Sequence, residues 1–526
     1  MRWAAVFLLA ASSAAAVVVS LAHPWGWFLA GPLLLVALTG VFDLLQRKHS
    51  VLRNYPVIGH LRFLMEALRP ELQQYFIERN TDGRPFDRDT RNVIYERAKG
   101  IHGEQAFGTE RDVNRVGYEY LLHSTVPKPE PETPPRVRIG GPDCTQPYEM
   151  ALLNVSAMSF GALSANAVRA LNRGAAQGGF AQDTGEGGLT PYHLEGGGDL
   201  VWELGSGYFG ARTEDGDFDP EVFRDKASHD AVKMVELKLS QGAKPGIGGV
   251  LPAAKVSKEI AAARGVPQGE KCVSPPYHRV FATPRELVVF IARMRELAGG
   301  KPAGIKLCVG SRVEFLAICK AMLEEGTGPD FVVVDGSEGG TGAAPQEFED
   351  HVGVPLTEGL MFVHNALVGA GLRDRVKVGA SGKVATGSDI VKRLAQGADY
   401  TNSARAMMMA VGCIQAQRCH TNTCPVGVTT QDPRRARALV VPDKALRVQR
   451  YQQGTVAQAL QIMAAMGLDG PQDLRPRMLQ RRVDHVTTVG YDQVFDWLEP
   501  GQLLAEAPKE WAHDWSLADP DRFVPL

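Results

Sequence analysis

The sequence predicts an α/β fold: a closed (β/α)8 TIM barrel of parallel strands, with an apolar helical hairpin before it and a helical tail after it. Three observations predict it. Short apolar or β-branched runs alternate with amphipathic helical runs over residues 152–405, the pattern of βα units and parallel strands. Eight strand-like runs can be counted, the number that closes such a barrel. The segments after those runs are rich in Gly and small polar residues, as reactive-face loops are. An open doubly wound sheet is the alternative.

In chain order, residues 1–46 come first. An uncharged run, 3–22, and a second, 28–42, are each about long enough to cross roughly 30 Å of hydrocarbon as a helix. Trp25 and Trp27 stand in the connection, where amphipathic rings favour the membrane interface. A cleaved signal peptide is the rival for the first run; the second run and the single basic Arg2 before the first argue against it. Arg47, Lys48 and Arg53 flank the far end, while the connection has no Lys or Arg. The expectation is a transmembrane hairpin in the inner (cytoplasmic) membrane, both ends and the catalytic part in the cytoplasm. Thiols there stay reduced.

Residues 47–140 form a mixed region with helical patterns (RPELQQYFIER, RNVIYERAKG) and a Pro-rich strap, VPKPEPETPPR. Residues 141–431 hold the barrel pattern. The strand candidates are 152–160, 179–184, 200–207, 235–241, 303–309, 331–337, 376–381 and 400–405. Residues 432–526 read as a charged helical extension, either covering the barrel or facing a partner. A net charge of -2 over 526 residues leaves no nucleic-acid footprint, and seven cysteines make no disulfide framework.

Chemistry is expected in the loops SAMSFGALS, DTGEGG, LSQGAKPGIGG, DGSEGGTGAAP, SGKVATG and SARA. Gly lets backbone N–H groups approach an anion. Loops after strands seven and eight often hold phosphate, and here they offer Ser381, Gly382, Lys383, Ser403, Ala404 and Arg405. A phosphorylated cofactor is expected. GSGYFG (205–210) matches a dinucleotide fingerprint but opens no helix. Asp215, Asp217 and Asp219 lack the Gly position and closing Glu of a calcium loop. No G-x-S-x-G elbow is present.

Cys413, Cys419 and Cys424 are spaced C-x5-C-x4-C before a PVG turn. Zinc wants four ligands and a closer pair. A cytoplasmic disulfide would leave one thiol over. An iron–sulfur cluster takes Cys thiolates, and a three-iron cuboid takes three. Buried apolar cysteines are the remaining reading.

These residues resemble a known family. The cysteine loop resembles the iron–sulfur loop of glutamate synthases. SAMSFG (156–161), TGEGG (184–188), QGAKPG (241–246), SPP (274–276), GGTGA (339–343) and GLRDR (371–375) resemble the flavin-binding synthase barrel in the same order, over about 152–431. RNVIY (91–95) and FGT (107–109) are similar to short membrane-associated members, the FMN-binding glutamate synthase family proteins. The resemblance implies FMN at the C-terminal mouth of the barrel and a 3Fe–4S cluster on Cys413, Cys419 and Cys424. It implies that Ala157, Met158 and Ser159 line the flavin and that Lys306 lies near its pyrimidine end. Gly339, Gly340, Gly382, Lys383, Ser403 and Ala404 would surround the ribityl phosphate. Glu186 would stand near the ammonia route and the cluster, with Glu186 and Lys306 the catalytic pair.

The implied activity is reductive amination of 2-oxoglutarate, or a related acid, to L-glutamate. Ammonia would be free or supplied by a partner, and electrons would come from ferredoxin or a membrane redox partner. A membrane-tethered flavin oxidoreductase acting on another amino or hydroxy acid is a second reading. A non-catalytic barrel scaffold is a third.

Overall fold

The computed structural model describes residues 2–101 and 103–524, in two units, Met1–Pro85 and Phe86–Leu526. In the first unit, helix Arg2–Ala22 and helix Trp27–Leu45 form a hairpin through the turn Pro24–Gly26. Gly40 faces Val6, where an added Cβ would come within 3.2 Å of the Val6 side chain. Among the described residues one helix, Pro24–Leu45, is long and apolar enough to cross a bilayer; the apolar stretch Val6–Ala22 is shorter. Residues 47–85 belong with this hairpin, whereas the sequence reading joined them to the segment that follows.

In the second unit eight parallel strands close into a barrel, each beside the next in chain order. They are β1 (Leu153–Val155), β2 (Gln182–Asp183), β3 (Leu200–Leu204), β4 (Val232–Lys238), β5 (Ala303–Leu307), β6 (Phe331–Asp335), β7 (Lys377–Ser381) and β8 (Tyr400–Ser403). The predicted runs were right in number and order; seven are longer than their strands, and β4 begins three residues earlier than its run. The excess residues are mostly the loops that form the mouth. Local signals set the helices between strands. Ser164 caps helix Ala165–Gly178 by accepting the Ala167 N–H, and Gly179 ends it with a left-handed φ of 69°. Thr283 with Glu286, and Thr386 with Asp389, form capping boxes that open two more.

Strand alternation sorts side chains into outside and inside. Trp202 points outward and stacks on Phe223, ring centroids 4.9 Å apart. Inside, the lowest layer is apolar: Val201, Met234, Phe331 and Tyr400 cluster with Ile139 and Met150 of the two-stranded ribbon Arg136–Ile139 and Tyr148–Ala151. Gly379 makes room for the Tyr400 ring, since an added Cβ would lie 2.6 Å from its Cζ. A Gly379→Ala variant should therefore overpack this layer and cost about 1–3 kcal/mol, read as a lower denaturation midpoint of the solubilised chain.

The C-terminal residues are more than the helical extension expected. Helix Val441–Ala465 packs against the barrel helix Ala165–Gly178, which favours the barrel-covering alternative. Beyond it, strands Leu479–Arg482 and Thr488–Gly490 form a small antiparallel sheet with Glu119–Leu121. Helix Arg88–Lys99 lies against the same long helix, and its Tyr95 hydroxyl donates to the Cys413 carbonyl at 2.8 Å.

Candidate active site

Alternation along β4 carries its inward face from Met234 through Glu236 to Lys238, at the mouth. There the Lys238 ammonium meets Glu186 of the TGEGG loop at 3.0 Å. Glycines hold the carboxylate close: a Cβ at Gly249 would come within 2.1 Å of Glu186 Oε1, and one at Gly205 within 2.7 Å of Oε2. Burial alone would raise the pKa of Glu186, but Lys238, with Arg264 and Lys244 farther off, holds it below the ordinary carboxylate value. Glu186, Lys238 and Gly249 border a cleft lined also by Ser206, Gln241 and Gly248. Gln241 Nε2 is buried there without a hydrogen-bond partner. Lys244 is buried and donates to the Ala343 carbonyl at 3.0 Å, tying the loop after β4 to the loop after β6. Burial, with Lys238 adding to it, lowers the Lys244 pKa to about 8. The cleft thus presents one ammonium group, an unpartnered amide donor and one carboxylate, a lining suited to an organic anion that also bears a cationic or protonated nitrogen.

Beside it, the loops after β6, β7 and β8 converge. The Gly336 N–H donates to the Ser381 carbonyl at 2.9 Å. The Arg405 guanidinium lies over Gly340, where an added Cβ would sit 1.1 Å from Nη2. Gly382 and Lys383 both have positive φ, 150° and 51°. Asp335 accepts from the Ser381 hydroxyl at 3.0 Å and from the Gly242 N–H at 2.9 Å, joining a fourth loop to the set. Gly339, Gly340, Gly382 and Lys383 therefore stand together with a cation over bare backbone, which suits a phosphate. Ser403 is turned away: its hydroxyl donates to the Val384 carbonyl at 2.7 Å, and Ala404 offers backbone only.

Ala157, Met158 and Ser159 follow β1. A Cβ at Gly185 would come within 2.6 Å of Ser159 N, so the two loops touch backbone to backbone. Ser159 Oγ accepts from Arg264 Nη2 at 3.2 Å, and Met158 is buried.

The three cysteines of the motif share one loop with free thiols. Cys413 Sγ accepts the Gln415 N–H at 3.4 Å. Cys424 is buried, which would raise its pKa, but hydrogen bonds from Thr429, Val426 and Val428 N–H groups and the Thr429 hydroxyl bring it below the ordinary thiol value. Gln415, Gln417 and Asn422 all adopt left-handed φ, between 54° and 62°, which non-Gly residues rarely do. Among the described residues the three sulfurs do not all come within 4.8 Å of one another, too far apart to share one ion at about 2.3 Å each. Three thiols on one loop are donors of the kind that iron–sulfur clusters take. Lys255, buried nearby, donates to the Ala162 carbonyl at 2.9 Å, and Asn422 ties the loop to the Ala254 carbonyl at 3.0 Å.

Below the mouth lies a charged layer that sequence reasoning missed. Asp183, Glu203 and Glu236 bring carboxylate oxygens within 4.8 Å of one another. Lys306 pairs with Glu203 at 2.5 Å, and both are buried. Burial opposes the Lys306 charge, but Glu203, Glu236 and Asp183 hold its pKa well above the ordinary lysine value. Burial, then Glu203, raises the Asp183 pKa to about 7, and burial with Asp183 raises that of Glu236. Lys306 hydrogen-bonds across strands beside Lys238, but its ammonium turns to these carboxylates.

The sign for Asp183 follows from its raised folded-state pKa. Its favourable protonated form is fully kept below the unfolded value near 3.8 and is lost as pH rises through about 7. Asp183→Asn should therefore gain thermal stability relative to wild type at pH 8 and show little gain at pH 4, as thermal midpoints at both values would reveal.

Residues 143–469 match the family described as a conserved region in glutamate synthase. The chain is 39% identical over 481 residues to the glutamate synthase large subunit-like protein YerD of Bacillus subtilis (strain 168), covering 84% of this chain and 91% of that one. It is 34% identical over 329 residues to an archaeal glutamate synthase (NADPH) of Archaeoglobus fulgidus, covering 62% of this chain and 61% of that one. Among solved structures, a mandelate oxidase with (S)-2-phenylpropionate aligns at 14% identity and a TM-score of 0.41, over 76% of this chain and 98% of that one.

Proposed function

Because this chain belongs to the glutamate synthase family, we propose that it is a membrane-tethered oxidoreductase that reductively aminates a 2-oxo dicarboxylic acid, 2-oxoglutarate in the first instance, with ammonia. The observation that carries the reading is the cleft of Lys238, Gln241 and Glu186 beside the converging loops. In this reading Gly339, Gly340, Gly382 and Lys383, with only the backbone of Ser403 and Ala404, hold the phosphate of FMN, the Ala157–Met158–Ser159 backbone borders its ring, and Cys413, Cys419 and Cys424 bind a 3Fe–4S cluster. When bound, reduced FMN supplies hydride to the substrate carbon, and the cluster supplies electrons singly from a donor such as ferredoxin or a membrane partner.

The chain's own residues do the rest. Lys238 presents ammonium hydrogens to a carboxylate of the oxo acid, and Gln241 Nε2 gains the partner it lacks. The anionic Glu186 draws ammonium into the cleft and stabilises the iminium formed when ammonia replaces the keto oxygen as water. An iminium carbon accepts hydride more readily than the parent ketone. Gly205 and Gly249, having no side chains, let the Glu186 carboxylate stand close to the reacting nitrogen.

The hairpin tethers this activity to the cytoplasmic face of the inner membrane. Support for that is the apolar helix Pro24–Leu45 and the basic residues Arg47, Lys48 and Arg53 at its exit. Anaerobic protein supplied with 2-oxoglutarate, ammonium and reduced ferredoxin or viologen should form L-glutamate, and Cys419→Ala should not. Equal product from the two proteins would sink the reading.

A further inference from the structure

The first unit contains a helix with no cover. Helix Gly59–Leu72 continues into the turn Gln73–Ile77, and of these residues only Gly59 is buried. Leu61, Leu64, Met65, Leu68, Leu72 and Phe76 recur three or four residues apart, so they fall on one face. Each is between 40 and 81% exposed. Arg62 and Glu66, paired at 2.9 Å, and Arg69 occupy another face. A helix this short is marginal in water on propensity alone and draws its stability from covering an apolar stripe. Among the described residues nothing in the unit covers this one.

Its placement says what does. Asp43, buried near the end of helix Trp27–Leu45, accepts the Val57 N–H at 2.9 Å and pairs with His60 Nε2 at 2.9 Å. That clamp fixes the start of the exposed helix beside the exit of the apolar one. The helix therefore starts beside the exit end of the hairpin, where Leu38 and Phe42 are also exposed. The same stretch, residues 46–79, holds six basic residues and three acidic ones. An apolar stripe with a basic surplus, next to a spanning segment, matches the interface of an anionic bilayer.

We infer that residues 59–77 are an interfacial anchor helix whose partner is the anionic phospholipid surface at which the hairpin emerges. The inference rests on the hairpin spanning the membrane. It adds a second, lipid-selective contact that holds the catalytic unit's tether along the membrane plane.

The test uses full-length protein in phosphatidylcholine nanodiscs with and without phosphatidylglycerol, followed by segment-resolved amide exchange. Amides of 61–77 should exchange at least about tenfold more slowly in the phosphatidylglycerol discs than in a Leu64→Glu/Leu68→Glu variant. Helix Trp27–Leu45 should stay protected in both proteins, and protection of 61–77 should weaken when phosphatidylglycerol is left out. Exchange at 61–77 as fast in wild type as in the variant would overturn the inference. So would protection that vanishes when each disc holds one copy, which identifies a second chain as the cover. Release of the protein from liposomes by alkaline carbonate refutes the hairpin instead, and exchange at 61–77 on those liposomes before the wash still decides the helix.

Discussion

Lys238→Met should nearly abolish turnover of the oxo acid while leaving the barrel folded and the flavin of the proposed reaction bound. Lys238 stands at the mouth, and its charge serves two partners: the Glu186 carboxylate at 3.0 Å and the acid substrate of the proposed reaction. Methionine keeps the stem and removes the ammonium. Loss of a preorganised charge of this kind costs about 10²–10³-fold in rate. Glu186 would then keep its burial without its nearest cation, so its pKa should rise. The pH profile separates this from simple damage. Residual activity should climb as pH rises and Glu186 regains its charge, whereas a misfolded barrel would show no such recovery. Lys238→Arg should restore part of the rate.

Lys306→Met has the other large expected effect, and it falls on stability. Three carboxylates, Asp183, Glu203 and Glu236, share the barrel interior with this one ammonium. Removing one partner of a buried ion pair costs about 3–5 kcal/mol, because the other charge is left unpaired in a medium that solvates it poorly. The loss should be greatest above pH 7 and smaller near pH 5, where Asp183 and Glu236, both raised, hold protons. Adding Glu203→Gln should recover a large part. Denaturation midpoints of the single and double variants at both pH values check this.

Why Lys238 and the carboxylate layer escaped sequence reading has a physical reason. VELKL and VWEL alternate apolar with charged residues, the pattern of a strand with one wet face. In a closed barrel neither face is wet. The helices cover one side, and the barrel's own interior is the other. The signal was present in another form: parallel strands buried on both faces should read as nearly unbroken apolar runs, and these do not. A charged residue at every second position of such a strand points into the barrel.

Other features were legible because they are local. The cysteine spacing, the glycine clusters and the number of βα units all lie in short stretches of chain. Lys306 was picked out by its motif, but its ion pair with Glu203 joins residues from different strands, and only closure of the barrel brings them together. The small sheet between Glu119–Leu121 and Leu479–Arg482 was invisible for the same reason, since its strands are short and far apart in sequence. Tyr95 was noted as part of a family pattern, yet its bracing of Cys413 could be seen only in the fold. The stripe on helix Gly59–Leu72 was readable as periodicity; its lack of cover was not.

The most direct measurement follows the flavin itself. Full-length protein, purified without oxygen and reduced, would be mixed with 2-oxoglutarate, ammonium, or both while its visible absorption is recorded. The account predicts that the oxidised flavin spectrum returns only when both are present, with about one L-glutamate formed per flavin. A colourless protein, or a reduced flavin that stays reduced in the presence of both compounds, would contradict it.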